Sequence, residues 1–440
     1  MNAQVNEPGR PIDWGDLDDA GQAAALARPT LDQGELERSV TDILSAVRAR
    51  GDDALRDFAR RFDRVDLEDL LVPADALAAA ADAVDPALME AIEASAARIR
   101  AFHEAGAPRG FSESTAAGLE CRARYVPISP VGLYVPGGSA PLISTVMMLA
   151  VPAAIAGCGE VVLCTPPGPE GRIHPALLAA AHHCGVQRVV RAGGAQAIGA
   201  MAFGTASVPA CAKLFGPGNA WVTEAKRQVS ALPGGPAQDL PAGPSEVLVI
   251  ADSGARADVV AWDLLSQAEH GPDSQAILLS DCDELLAAVA HQLPLLAAQT
   301  RRAEILDDAL RNLRLIRVAD TREAVVVSNR YAPEHLIVNT ADADERLEEV
   351  TAAGSVFLGR WTPESLGDYS SGTNHVLPTY GYARAYSGLS VTDFMRRMTV
   401  QRATEEGLET AGRDAMRIAE AEGLDAHRMA VACRLQEPAG

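Results

Sequence analysis

Positive charge is in short supply in this chain. Lys and Arg number 38 against 59 Asp and Glu, a formal charge of −21. A nucleic-acid binder needs a basic surface to neutralise phosphates, so DNA and RNA are not expected as partners. Cysteine is scattered at 121, 158, 164, 184, 211, 282 and 433, an odd count with no Cys-x-x-Cys. That argues against a disulfide framework or a thiolate zinc finger and fits a reducing cytoplasm. Cys121 and Cys158 have no neighbour in sequence that would activate a thiol, and they read as buried small residues. The acidic N-terminus has no apolar core, so no signal peptide is expected. Charge is absent altogether from Tyr125 to Gly159, but Pro127, Pro130, Pro136, Gly137, Gly138, Pro141 and Pro152 interrupt that stretch too often for a membrane span.

What is present is a chain nearly half apolar, rich in Ala, Gly and Val, and long enough for two or three domains. Residues 1–110 read as mostly helical, with Ser39, Val40, Ile43, Leu44 and Val47 as one buried stripe. From about 120 the pattern becomes strand, Gly loop, helix. Val131–Val135 leads into Pro136-Gly-Gly138, Arg188–Arg191 into Gly193-Gly194, and Lys213–Phe215 into Gly216-Pro-Gly-Asn219. Alternating units of this kind imply parallel sheets covered on both faces. A Pro/Gly-rich linker over 233–244 separates a second series that includes Glu246–Ala251, Ala276–Ser280, Leu336–Val338 and Gly354–Leu358. Beyond Thr404 a small helical unit is expected.

The Gly loops permit close backbone approach and place helix N-termini where an anion such as pyrophosphate is favoured. None is Gly-x-Gly-x-x-Gly, and taken singly each is equally ordinary turn chemistry. Gln267 and His270 close an apolar helix whose negative end favours a cation, although a core polar pair explains them as well. Glu334-His335 opens an apolar strand, an arrangement suited to proton transfer or to a cap with a surface His. Asp368 and His375 lie in what reads as an irregular Gly- and Ser-rich loop and meet only if it folds back. Glu422 and His427 flank Gly423 between two terminal helices and need a break there to reach one rim.

Together these segments resemble the histidinol dehydrogenase family almost end to end, from Ile12-Asp-Trp14 to the last helices. The strings that carry the resemblance are Gly132–Gly138, Gly193–Gln196, Phe215–Asn219, Ala242–Ser245, Leu265–His270, Glu334–Leu336 and Asn374–Pro378. The resemblance implies two incomplete Rossmann-like α/β domains with parallel sheets and small N- and C-terminal helical extensions. It divides the chain into an extension over 1–28, a discontinuous first domain over 29–133 and 245–389 carrying the zinc and acid–base residues, a second domain over 134–244 carrying the NAD loops, and a C-terminal helical dimerisation unit over 390–440.

It further implies oxidation of L-histidinol through L-histidinaldehyde to L-histidine, with NAD as oxidant and one Zn²⁺ per site. Gln267, His270, Asp368 and His427 match zinc ligands, and Glu334 and His335 match the acid–base pair. Tyr134, Gln196 and Asn219 match NAD contacts. Ser245, His375 and Glu422 match substrate contacts, joined there by Gln267, His270, His335, Asp368 and His427. A cytoplasmic homodimer is implied, with each site completed by Glu422 and His427 of the other subunit. A relative acting on another amino alcohol or a sulfonated diol, a zinc hydrolase, and a non-catalytic zinc-stabilised binding protein are the alternatives.

Overall fold

The computed structural model describes residues 10–29, 34–137, 141–241 and 243–436, so Gly138 and Ala242 of the quoted strings lie outside the described residues. The chain opens with β1 (Ile12–Asp13), then runs through helices to a hairpin of β2 (Phe111–Ala116) and β3 (Leu119–Pro127). A first βα series follows: β4 (Val131–Tyr134), β5 (Val161–Thr165), β6 (Arg188–Arg191), β7 (Lys213–Phe215) and β8 (Ala237–Gln238). A second contains β9 (Glu246–Ala251), β10 (Gln275–Ser280), β11 (Arg314–Arg317), β12 (His335–Asn339) and β13 (Ser355–Leu358), and β14 (Met395–Ala403) comes last.

The first series forms a five-stranded sheet ordered β6-β5-β4-β7-β8, and the second a six-stranded sheet ordered β1-β11-β10-β9-β12-β13. Every pairing in both sheets is parallel. Helices cover both faces, which is why β9, β10 and β12 are buried at every position. Strand order reverses between β4 and β7 in one sheet and between β9 and β12 in the other, the doubly wound α/β pattern expected. No described helix is long and apolar enough to cross a membrane.

Packing regroups one expected domain. The helix Gly34–Arg50 lays Val40, Ile43, Leu44 and Val47 against Ile198, Ala225 and Val229, on the five-stranded sheet. The helix Pro86–Ala105 packs Ile92, Ala96 and Ile99 against Val146, Leu149 and Leu177 of the same unit. Residues 34–105 therefore belong with the Gly-loop domain, not with 245–389, because their apolar stripes match its helices. The short β1 goes the other way: Ile12 pairs with Ile316 at the edge of the six-stranded sheet.

The C-terminal unit is not purely helical either. β14 pairs antiparallel with β3 along its whole length, from Met395 opposite Pro127 to Ala403 opposite Leu119, and β2 completes a three-stranded sheet. Helices Glu405–Ala421 and Asp425–Ala432 follow.

The two parallel sheets meet through opposite edges. Thr145, in the first turn of the helix that follows β4, places its Oγ1 3.3 Å from His375 Nε2. Asn374 Nδ2 donates to the Met148 carbonyl at 2.7 Å. The five-stranded sheet thus presents its carboxyl edge, with the Gly loops. The six-stranded sheet presents its amino edge, where Ser245 precedes β9 and Glu334 precedes β12.

Candidate active site

Parallel pairing of β12 with β9 sets His335 beside Val247 and so brings Glu334 level with Glu246. The main chain of Glu246 then serves both members of the acid–base candidate. Its amide donates to Glu334 Oε2 at 2.9 Å, and its carbonyl lies 3.3 Å from His335 Nδ1. Glu246 is itself fixed by its side chain, which accepts from Arg28 Nε at 2.6 Å and from the Tyr331 hydroxyl. Tyr331 also donates to Gln275 Oε1 at 2.8 Å.

The helix Ala257–Ala268 ends at this edge and delivers Gln267, fully buried, with His270 just past its end at the surface. With its amide turned so that nitrogen meets acceptors, Gln267 reaches the Glu364 oxygens at 2.6 and 3.2 Å and His335 Nδ1 at 3.0 Å. Asp368 was expected in a loop. It lies instead in the helix Glu364–Tyr369, one turn beyond Glu364, so both carboxylates share a face. The chain does fold back after it, and His375 Nδ1 stands 3.0 Å from the Asp368 carbonyl. His270, Glu364 and Asp368 offer ligand atoms that all lie within 4.8 Å of one another.

Burial governs the electrostatics. Glu334 is pushed well above the usual carboxylate range by desolvation, reinforced by the charges of Glu246 and Asp368 and opposed by the Glu246 amide. Glu364 is raised by desolvation and then by Asp368, Glu334 and Asp263. Asp368 rises to about 6 through burial, against the pull of His270. His335 falls to about 3 and His375 to about 4, again chiefly because burial penalises the imidazolium. Glu334, Glu364 and Asp368 all lie 3.6–3.8 Å from the His335 ring nitrogens, and a neutral imidazole gives none of them a counter-charge. His335 Nε2 is buried without a hydrogen-bond partner. Several buried carboxyl groups around neutral imidazoles resist ionisation by themselves, and a bound cation would stabilise their charged forms.

Across the cleft, Tyr134 ends β4, and its hydroxyl oxygen accepts a hydrogen bond from the Gly194 amide at 3.0 Å. Its burial raises its pKa to about 12. Gln196 is buried in the helix Gly194–Phe203, and Asn219 caps the helix Ala220–Ser230 by accepting from the Val222 amide at 3.2 Å. Gly137 and Gly193 both abut Pro166, where an added Cβ would stand 2.2 and 2.5 Å from its ring, so the loops after β4, β5 and β6 converge.

The structure brings together Gln267, His270, Glu334, His335, Asp368 and His375, with half-buried Ser245 next to Glu246. It does not bring in Glu422 or His427. Both are exposed on the terminal helices, separated by Gly423 at φ +73°, and His427 is outside the ligand cluster. Two residues were missed. Glu246 carries a signal in hindsight, a charge leading a strand of otherwise aliphatic residues. Glu364 carries only its spacing of four from Asp368.

Comparison with known proteins identifies the family. A family model described as "Histidinol dehydrogenase" matches residues 26–435. The histidinol dehydrogenase of Xanthomonas euvesicatoria pv. vesicatoria is 56% identical over 425 residues, covering 96% of this chain and 98% of that protein. That of Idiomarina loihiensis is 50% identical over 428 residues, with 97% of each chain covered. The crystal structure of histidinol dehydrogenase from Elizabethkingia anophelis superposes with a TM-score of 0.93 at 41% identity, over 98% of this chain and 99% of that one.

Proposed function

The chain belongs to the histidinol dehydrogenase family, and on that premise we propose how its residues carry out the NAD-dependent oxidation of L-histidinol to L-histidine, the last two steps of histidine biosynthesis. The observation that carries the reading is His335 Nε2: a buried imidazole nitrogen with no partner, at the amino edge of β12, facing Asp368. With the Gln267 nitrogen donating to Glu364 alone and His335 Nδ1 carrying its hydrogen toward the Glu246 carbonyl, Nε2 holds the lone pair that takes the alcohol proton as the first hydride leaves. Glu334, gripped by the Glu246 amide, accepts a proton from the water that hydrates the aldehyde. His335 then assists the second oxidation. Each general-base role contributes typically ~10²–10⁴-fold.

Zn²⁺ fits this donor set. An amide oxygen, a carboxylate and imidazoles suit the ion, and its charge would stabilise the ionised forms of the buried carboxyl groups. Gln267, His270 and Asp368 would hold it, with His427 of a second copy as the fourth ligand. Glu364 ties up the Gln267 nitrogen and so leaves its oxygen for the metal. Bound there, zinc would supply a Lewis-acid anchor for the imidazole and amine of the substrate. Ser245, His375 and Glu422 would complete the substrate pocket.

NAD is placed at the converging Gly loops, with Tyr134, Gln196 and Asn219 as its contacts. The exposure of Ile418, Leu424 and Met429 around Glu422 and His427 supports a homodimer in which these helices cover a partner's site. The cysteines are free thiols, which fits the proposed cytoplasmic location.

The deciding assay adds L-histidinol and NAD to the purified protein and follows NADH absorbance. Two NADH per histidinol are expected. One would overturn the four-electron reading, and none would favour a hydrolase or a binding protein. Stronger turnover of a sulfonated diol or another amino alcohol would reassign the substrate.

A further inference from the structure

The loop Gly216–Asn219 leaves β7 where the five-stranded sheet reverses its strand order, beside the end of β4. In open α/β sheets this crevice is where a ligand sits. Gly216 there has φ +118°, and an added Cβ would lie 2.0 Å from the Tyr134 carbonyl oxygen. The peptide is therefore pressed against β4 in a conformation that a flexible glycine does not keep by itself.

Two buried charges hold it. Lys226 Nζ donates to the Gly216 carbonyl at 3.0 Å, and Asp239 Oδ2 accepts from the Gly216 amide at 2.7 Å. Lys226 and Asp239 also bond each other through Nζ and Oδ1. Lys226 comes from the helix that the loop opens, and Asp239 directly follows β8. Their side chains are 6% and 1% exposed. A buried ion pair is weak evidence of a stabilising role, because desolvation offsets much of the attraction. What distinguishes this one is that both charged groups reach the two sides of a single glycine.

We propose that the Lys226–Asp239 pair is a positioning device for the nucleotide: it fixes the Gly216 peptide, and with it the loop against which NAD lies. The inference rests on the placement of NAD given under Proposed function. Neither side chain touches the nucleotide in this account. The pair acts through the backbone of Gly216 and sets affinity for NAD without altering the substrate and zinc pocket.

The test uses the full-length protein and variants Lys226→Met, Lys226→Arg and Asp239→Asn, with NAD affinity from titration calorimetry alongside steady-state kinetics. Lys226→Met is expected to raise both Kd and KM for NAD by about tenfold or more, while KM for histidinol and zinc per chain stay within about twofold of wild type. Lys226→Arg, which keeps the charge, should recover part of the loss. Asp239→Asn, which keeps an acceptor for the Gly216 amide, should be milder than Lys226→Met. If Lys226→Met does not fold, as judged by circular dichroism, the other two variants carry the test. Folded variants with unchanged NAD affinity, or with KM for NAD and histidinol rising together, overturn the proposal. A wild-type protein that binds no NAD overturns the underlying placement and the clamp with it. Wild-type binding with insensitive variants removes the clamp alone.

Discussion

At Glu246 the side chain and the main chain have separate duties. The carboxylate anchors the strand to Arg28 and Tyr331, while the amide and carbonyl face Glu334 and His335. The proposed water-activating group is therefore oriented by backbone, and Glu334→Gln keeps an acceptor for that amide. We expect the variant to lose aldehyde oxidation by about 10²–10⁴-fold with a smaller loss in alcohol oxidation. Separate assays with histidinol and histidinaldehyde check this, and equal losses would refute the division of roles. Asp63, whose charge reaches Tyr134, offers a test on the nucleotide side. Burial raises its pKa from 3.8 to about 6, so the fold favours its protonated form. The stability it contributes is complete below the unfolded value and is lost as pH rises through about 6. Asp63→Asn should melt about 1–2 °C above wild type at pH 7.5, with the gap narrowing toward pH 4. A gap independent of pH would remove the titration account.

At the scale of elements, what the sequence discloses depends on how local the cause is. Strands β4 to β7, β9, β10 and β12 are short, mostly apolar runs with a Gly or Pro within a few residues of at least one end, and they form where that pattern places them. Glu334 and His335 are legible because they interrupt such a run. β14 is not, since its Arg-rich alternation makes sense only against β3, more than 250 residues earlier in the chain. Glu364 is hidden for another reason. On a short segment with Leu366 and Tyr369 exposed, a glutamate reads as a surface residue until its burial against Gln267 is seen. Removing it should free the Gln267 amide to rotate. Glu364→Ala is expected to weaken zinc binding by ~10–100-fold, measured as the zinc retained during a chelator titration. Retention equal to wild type would show that Gln267 needs no such partner.

For the whole molecule, the exposed Glu422 and His427 pose the main question. Their helices are far along the chain, yet the proposed reading assigns both residues to the chemistry at the amino edge of β12. Mixing His335→Ala chains with His427→Ala chains tests whether they act across an interface. If tails are exchanged, one hybrid site regains both wild-type residues and activity returns to about half of what wild-type sites at the same hybrid concentration would give. Hybrids that form, as seen by native mass spectrometry, but remain inactive would show that the tail serves its own chain.

The meeting of a carboxyl edge with an amino edge has one more consequence. In the proposed arrangement one domain holds the substrate and the other carries the nucleotide loops, and the two are joined by contacts such as Thr145 to His375. A reaction that consumes two nucleotides per substrate must release a spent one midway without losing its half-oxidised intermediate. Housing the two ligands on different walls of one cleft lets the first wall empty and refill while the second keeps its hold, so that an unstable aldehyde need never meet bulk solvent.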